Sequence, residues 1–260
     1  MIEVYFLIAL LATTVGSMAG LGGGVIIKPA LDFLGDYNLN VISILSSITV
    51  FSMSVVSIIK QIKYGININY KRTILIALGS ILGGLLGEKI LKAVLCFADK
   101  KVIVVIQNSI LAVLLFSIYI YMNNRKKFKS YSFSNLMFCI LIGGFLGMIA
   151  SFLSIGGGPI NVCFFTLFFS MAPKEAAVNS IITILFSQGS KITTIYLTSR
   201  FSNLDLSMLP FMIIGGILGG VIGSKFNNIF NNKAVLSVFN VVLIALVFLN
   251  AYNILSMSML

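Results

Sequence analysis

Two runs of three glycines are the residues in this sequence best suited to hold a ligand through the backbone. Gly22, Gly23 and Gly24 recur as Gly156, Gly157 and Gly158, and each run precedes a short apolar segment. A helix that begins at such a turn directs free N–H groups and its positive dipole end at the turn. The pattern therefore predicts an anion site built from two helix starts, and close helix packing is the alternative. The spacing fits neither a dinucleotide loop nor a P-loop.

Polar side chains at helical spacing predict a solute path beside these turns. Asn179, Thr183, Ser187 and Lys191 recur every four residues. The equivalent segment of the first half contains Ser46 and Thr49, together with Ser43, Ser47 and Ser54. Ser154 and Asn161 flank the second turn, and we expect them to help bind the substrate. Helix–helix hydrogen bonds would explain the hydroxyls equally well. A lysine inside an apolar run is usually functional, but Lys191 is six residues from Leu197, where its ammonium could also reach the interface.

The remaining ionisable residues offer little chemistry. Lys28 and Asp32 are four residues apart, which favours an interfacial ion pair. The chain has no histidine, its three cysteines are widely spaced, and no acids cluster inside an apolar run. We therefore expect no catalytic residues, no metal site, no cofactor and no enzyme activity. A membrane enzyme is the third interpretation of so apolar a chain.

The composition predicts that membrane helices hold these residues in place. Hydrophobic residues make up 58% of the chain and charged residues 10%, with a mean hydropathy of +1.07; soluble domains contain about 25% charged residues. We predict an all-α polytopic protein, embedded in membrane lipid, with eight long transmembrane helices and two short helices after the glycine turns. The long apolar runs are Ile2–Met18, Leu39–Ile59, Thr73–Leu91, Val102–Met122, Phe133–Leu153, Ala176–Leu197, Leu206–Ile222 and Ala234–Leu255, and the short ones are Val25–Leu34 and Pro159–Met171.

The order of landmarks predicts a duplication. Ser46 and Thr49 follow Gly24 at the spacing at which Ser180 and Thr183 follow Gly158, and the glycine ladder Gly79–Lys89 resembles Gly215–Lys225. We divide the chain into a first membrane repeat (1–122), a basic cytoplasmic loop (123–132) and a second membrane repeat (133–260). Five segments in each half make the halves inverted copies. The small-xxx-small spacing of the ladders predicts close helix approach.

The distribution of Lys and Arg between the loops supports a topology of ten segments with both termini outside. Eighteen Lys and Arg give a net charge of +11. Eleven of the seventeen that lie in loops or at segment ends then fall on one side, which the positive-inside rule makes cytoplasmic. They are Lys60, Lys63, Lys71, Arg72, Arg125, Lys126, Lys127, Lys129, Lys174, Lys225 and Lys233. Because topology accounts for the charge, we expect no nucleic-acid partner.

Four segments together resemble a known family. They are Gly20-Leu-Gly-Gly-Gly24, Ser154-Ile-Gly-Gly-Gly-Pro159, Pro173-Lys-Glu-Ala-Ala-Val-Asn-Ser180 and the ladder that ends at Gly223. This combination is similar to the sulfite exporter (TauE/SafE) family over nearly the whole chain. Pro29 departs from the pattern, since it follows the first glycine run by five residues whereas Pro159 follows the second directly.

The resemblance implies a secondary transporter of a small anion, such as sulfite or an organosulfonate, in the bacterial cytoplasmic membrane. A channel-like or accessory membrane protein that works with an enzyme of sulfur metabolism is the alternative. The direction of transport, the coupling ion and self-association into a homo-oligomer stay open at this point.

Overall fold

The regular structure in the described part of the chain is entirely helical. The computed structural model describes residues 2–65, 70–97, 100–125, 127–128, 131, 133, 135–153, 156–199 and 204–258. The helices are α1 (Ile2–Ala19), α2 (Gly24–Leu34), α3 (Leu39–Lys63), α4 (Tyr70–Phe97), α5 (Lys100–Asn124), α6 (Leu136–Phe152), α7 (Gly158–Phe169), α8 (Pro173–Ser199), α9 (Leu209–Ile229) and α10 (Asn232–Ser258).

Six of these helices are long and apolar enough to cross a membrane: α1, α3, α4, α5, α9 and α10. We also predicted α6 and α8 as long spans. α6 has 17 residues, and α8 has 27 but is less apolar because polar side chains such as Asn179, Gln188 and Lys191 interrupt it. The protein is thus a multi-pass membrane protein, while eight spans and the inverted orientation of the halves stay predictions.

The helices after the glycine turns are short, as predicted. α2 has 11 residues and α7 has 12, so each is about 17 Å long, roughly half of the ~30 Å hydrocarbon layer. Gly35 adopts φ +73° and ends α2, and the Asn38 side chain accepts a hydrogen bond from the Val41 N–H at 3.0 Å and starts α3.

Both halves place their elements in one order: a helix, a glycine turn, a short helix and three long helices. The packing nevertheless crosses between the halves. α1 packs on α9 of the second half, and α4 packs on α6 in the corresponding way. The glycine ladders lie at these two contacts. A Cβ at Gly83 would overlap the backbone of Gly144, and one at Gly219 would overlap the Thr13 hydroxyl, so the predicted close approach is confirmed.

The cores follow this crossed packing and leave an apolar outer surface. One cluster combines α1, α2, α3 and α9, and a larger one joins residues of α4, α5, α6, α7 and α10. Large apolar side chains point outward around the molecule; Leu82 is 61% exposed and Phe248 is 71% exposed. Such a continuous apolar surface suits lipid rather than water.

Candidate functional site

The two glycine turns adopt backbone conformations that favour glycine. Gly22 and Gly23 have φ of 81° and 70°, and Gly156 and Gly157 have φ of 71° and 78°. An L-residue with a side chain is strained in this left-handed region. The turns therefore need glycine for their shape, and this allows α2 and α7 to begin immediately after them.

The structure brings the two turns into direct contact. The Ser180 hydroxyl donates to the carbonyl oxygen of Gly20 at 2.6 Å and also approaches the Gly158 carbonyl oxygen at 3.4 Å. A Cβ at Gly158 would overlap the backbone of Leu21. One serine of α8 thus links both turns, and the missing side chain at Gly158 lets the two backbones touch.

A small cavity lies beside this contact, between α2, α3 and α8. Gly22 and Gly24 form its wall on the first turn, and Gly156 contributes from the second. α3 presents Ser43, Ser46, Ser47 and Val50, and α8 presents Ile184, Gln188 and Lys191. The cavity measures ≈ 20 Å³, which is enough for about one water molecule.

Two lysines give the cavity its charge. The Lys191 ammonium donates to the Ser43 hydroxyl at 2.8 Å, and Lys28 lines the same cavity from α2. Both side chains are half-buried. Among the described residues that line the cavity there is no carboxylate, so the charged side chains on this part of the wall are positive.

The helix starts leave backbone donors near these lysines. Gly23 and Gly157 are the N-caps of α2 and α7, and neither helix receives a hydrogen bond from a capping side chain. The Gly23 carbonyl oxygen accepts from the N–H groups of Ile26 and Ile27. Gly24 itself lies in the cavity wall, so the positive end of the α2 dipole acts on the same space as the lysines.

Five of the predicted site residues line the cavity: Gly22, Gly24, Ser46, Gly156 and Lys191. Three more shape the turns without lining it. Gly23 packs on Ala12 and Thr13, Gly158 packs on Leu21, and Gly157 packs on Ala150 and lies against Asn161. Asn161 is buried beneath the second turn and donates its N–H to the Gly157 carbonyl oxygen.

The other predicted residues lie elsewhere. Thr49 donates to Leu45 in its own helix and packs against α9, while Asn179 accepts from Thr73 of α4. The Thr183 and Ser187 hydroxyls donate to carbonyl oxygens of α8. Only the Asn179–Thr73 contact is a hydrogen bond between helices, which was the alternative interpretation, while the Thr49, Thr183 and Ser187 hydroxyls bond within their own helices. Ser154 lies outside the described residues.

Helix geometry explains this separation. Residues four apart differ by about 40° around an α-helix, so a stripe at constant four-residue spacing winds around it. Asn179 and Lys191 are therefore about 120° apart and contact different neighbours. The cavity face of α8 follows the spacing i, i+4 and i+7 through Ile184, Gln188 and Lys191.

Two polar residues of the cavity, Lys28 and Gln188, were not predicted as site residues, whereas Ser43 and Ser47 belong to the predicted polar stripe of the first half. Gln188 could have been found by applying i, i+3, i+4 and i+7 spacing to Lys191. Lys28 was placed in an interfacial pair with Asp32. Lys28 follows Gly24 by four residues, so the two share a helix face. This spacing was the sequence signal that Lys28 could be a site residue.

Comparisons with known proteins agree with this architecture. The family model for the sulfite exporter TauE/SafE matches residues 5–250. No curated protein and no solved structure gives a significant match. Because the match covers nearly the whole chain, this protein belongs to the sulfite exporter TauE/SafE family of membrane transporters.

Proposed function

We propose that the protein is a secondary transporter that carries a small oxoanion, with sulfite as the best-fitting candidate, across the bacterial cytoplasmic membrane. The observation that carries this proposal is the cavity at the glycine turns, which two lysines and no carboxylate line among the described residues. At 4 Å and an effective dielectric constant of about 20, each ammonium attracts a unit negative charge by about 4 kcal/mol before desolvation is subtracted. Such a site favours anions over neutral and cationic solutes.

The chemistry of the wall supports an oxoanion. Serine hydroxyls and the Gln188 amide accompany the lysines, and the oxygens of a sulfur oxoanion accept hydrogen bonds from each of these groups. Uncharged donors also help release, because a carrier that held its substrate only by fully buried charges would dissociate slowly. The mixture fits a site that must bind and release in every cycle.

Cavity size favours sulfite over an organosulfonate. A volume of ≈ 20 Å³ accommodates a water-sized group, so even sulfite requires the helices around the turns to move apart. The methylene groups of an organosulfonate would require a larger opening, and among the described wall residues only Leu21, Val50 and Ile184 carry large apolar side chains. We therefore expect the affinity to fall as an organic substituent is added to the sulfur.

Competition binding to the purified protein tests this proposal. Sulfite should bind saturably, methanesulfonate should compete more weakly, and the neutral analogue dimethyl sulfone should not compete. Tight binding of the neutral compound with no competition from anions would refute the anion assignment.

Flux measurements in proteoliposomes then distinguish the transport classes. A carrier gives a sulfite flux that saturates with concentration, as we expect. A flux that stays linear far above the binding constant would instead indicate a channel.

A further inference from the structure

A second buried polar cluster lies where α1, α3 and α9 meet. The Ser17 hydroxyl contacts the Ser57 hydroxyl at 2.7 Å and the Ser224 hydroxyl at 3.1 Å. All three hydroxyls approach the carbonyl oxygen of Gly220, with Ser224 the nearest at 2.6 Å. Each serine is fully buried, so these oxygens converge on one point inside the protein.

Gln61 and Asn227 extend this cluster by one helical turn. The Asn227 amide donates to the Met18 carbonyl oxygen at 2.7 Å, and the Gln61 amide donates weakly to Asn227 Oδ1 at 3.4 Å. Gln61 Oε1 is buried and has no hydrogen-bond partner among the residues that the structure describes. An unsatisfied buried acceptor costs about 1–3 kcal/mol, so this atom indicates a missing donor or cation.

One face of α3 connects this cluster with the anion cavity. Ser43, Ser47, Val50, Ser54, Ser57 and Gln61 follow alternating steps of four and three residues over five helical turns. They therefore share one face, and Ser57 lies about 15 Å farther along α3 than Ser47. The cavity and the cluster thus lie at different heights along one face of α3.

The electrostatics of the cluster favour a cation. Ser17 and Met18 belong to the last turn of α1, which ends at Ala19. A helix C-terminus carries a partial negative charge, and its carbonyl oxygens commonly hold Na⁺ in transporters. The side chains that converge are hydroxyls and amides without an ionised group, whereas Ca²⁺ and Mg²⁺ sites use carboxylates. The donor set therefore suits a monovalent hard cation.

We propose that Ser17, Ser57, Gln61 and Ser224, with the Gly220 carbonyl oxygen, form a Na⁺ site that couples cation binding to anion binding. α1 leads from this site directly into the first glycine turn, and the Gly22 N–H donates to the Gly16 carbonyl oxygen at 3.2 Å. A cation at the end of α1 thus stabilises the turn that forms the cavity wall. Each ion then strengthens the binding of the other, because coupling between two sites is reciprocal.

A Na⁺ site departs from the expectation of no metal site, which rested on the lack of histidine, the wide spacing of the cysteines and the lack of clustered acids. Among the described residues, no group of three or more His, Cys, Asp or Glu could hold a metal ion. A site built from hydroxyl, amide and backbone oxygens is a different class, and local sequence patterns do not reveal it. It becomes visible only when α1, α3 and α9 are brought together.

Thermal unfolding of the purified protein without any anionic substrate tests the cation site by itself. We expect Na⁺ to raise the melting temperature saturably by several degrees relative to N-methyl-D-glucamine at equal ionic strength. Gln61→Leu should abolish the rise. Asn240→Leu is the matched control, because Asn240 Oδ1 on α10 is also a buried acceptor without a partner in the described part of the chain. If Gln61→Leu does not fold, Ser224→Ala serves as the test variant, because it is a smaller change. It should weaken the apparent Na⁺ affinity at least fivefold.

Sulfite binding supplies the second measurement. Na⁺ should tighten it at least tenfold in the wild type and leave it unchanged in Gln61→Leu. An equal melting temperature in both cations would overturn the proposal and assign Gln61 Oε1 to a buried water. A Na⁺ effect that survives in Gln61→Leu would also overturn it. A Na⁺ effect on melting with no sulfite binding would support the cation site while refuting the proposed function.

Discussion

Gly158→Ala adds a single methyl group at the point where the two glycine turns meet. Gly158 does not have the positive φ of its neighbours, so alanine causes no backbone strain there. The new Cβ would overlap the carbonyl group of Leu21, which belongs to the backbone and cannot rotate away as a side chain could. The substitution therefore tests the contact between the turns separately from their conformation.

The expected magnitude follows from that overlap. The turns would have to move apart by roughly 1 Å, judged from an optimal separation of about 3.5 Å between non-bonded atoms. Forcing an extra methyl group into a packed site typically costs about 1–3 kcal/mol. A cost of that size reduces the population of the state with touching turns by about 5–150-fold. We expect the initial rate of sulfite flux to fall by at least fivefold.

The assay compares initial sulfite flux in proteoliposomes that hold equal amounts of folded protein. Gly144→Ala is the control inside a helix, because its Cβ would lie 3.8 Å from the nearest atom, the Gly79 carbonyl oxygen. Gly35→Ala is the control for strain, since Gly35 has φ +73° but no atom within 4 Å of the added Cβ. Both controls should keep their flux. Flux at the wild-type level in Gly158→Ala would show that transport does not need the turns to touch.

Three further predictions concern the turns, the lysines and the topology. Gly23→Val and Gly157→Val should abolish flux in protein that still inserts, because valine is strained at φ of 70° and 78°; normal flux from well-expressed variants would contradict this. Lys28→Gln and Lys191→Gln should each weaken sulfite binding about 10–100-fold, because that range corresponds to the loss of a hydrogen bond to a charged group. If calorimetry gave an unchanged dissociation constant for one variant, that lysine would not belong to the site. A cysteine at Lys127, in a background without the native cysteines, should react with impermeant reagents only from the cytoplasmic side. Labelling only from outside would refute the topology.

The order of the helices was readable from the sequence because apolar length and glycine runs are local signals. Both short helices begin where the triple glycines predicted. The start of α6 was wrong by three residues. Phe133 begins the apolar run, but its N–H donates to the Phe168 carbonyl oxygen of α7, and α6 begins after the cap at Asn135. Hydropathy does not distinguish an apolar residue in a helix from one in a loop that packs on another helix.

The site was predictable only in part, because a stripe of side chains identifies a face and not its neighbour. Lys191 and Ser46 do line the cavity, whereas Asn179 hydrogen-bonds to Thr73 on α4. Which helix covers each face of α8 depends on contacts between residues about 100 positions apart, and no local pattern encodes these. The role of Lys28 was hidden in the same way, since its neighbours on α3 and α8 are set by the tertiary packing.

The exchange of helices between the halves has a consequence for how such a chain could arise. The glycine face of α9 is covered by α1, and that of α4 is covered by α6. A chain of half this length would leave the glycine faces of its first and fourth helices without a partner. The half-length ancestor implied by the predicted duplication would therefore have had to assemble from two copies before the gene fusion that joined them.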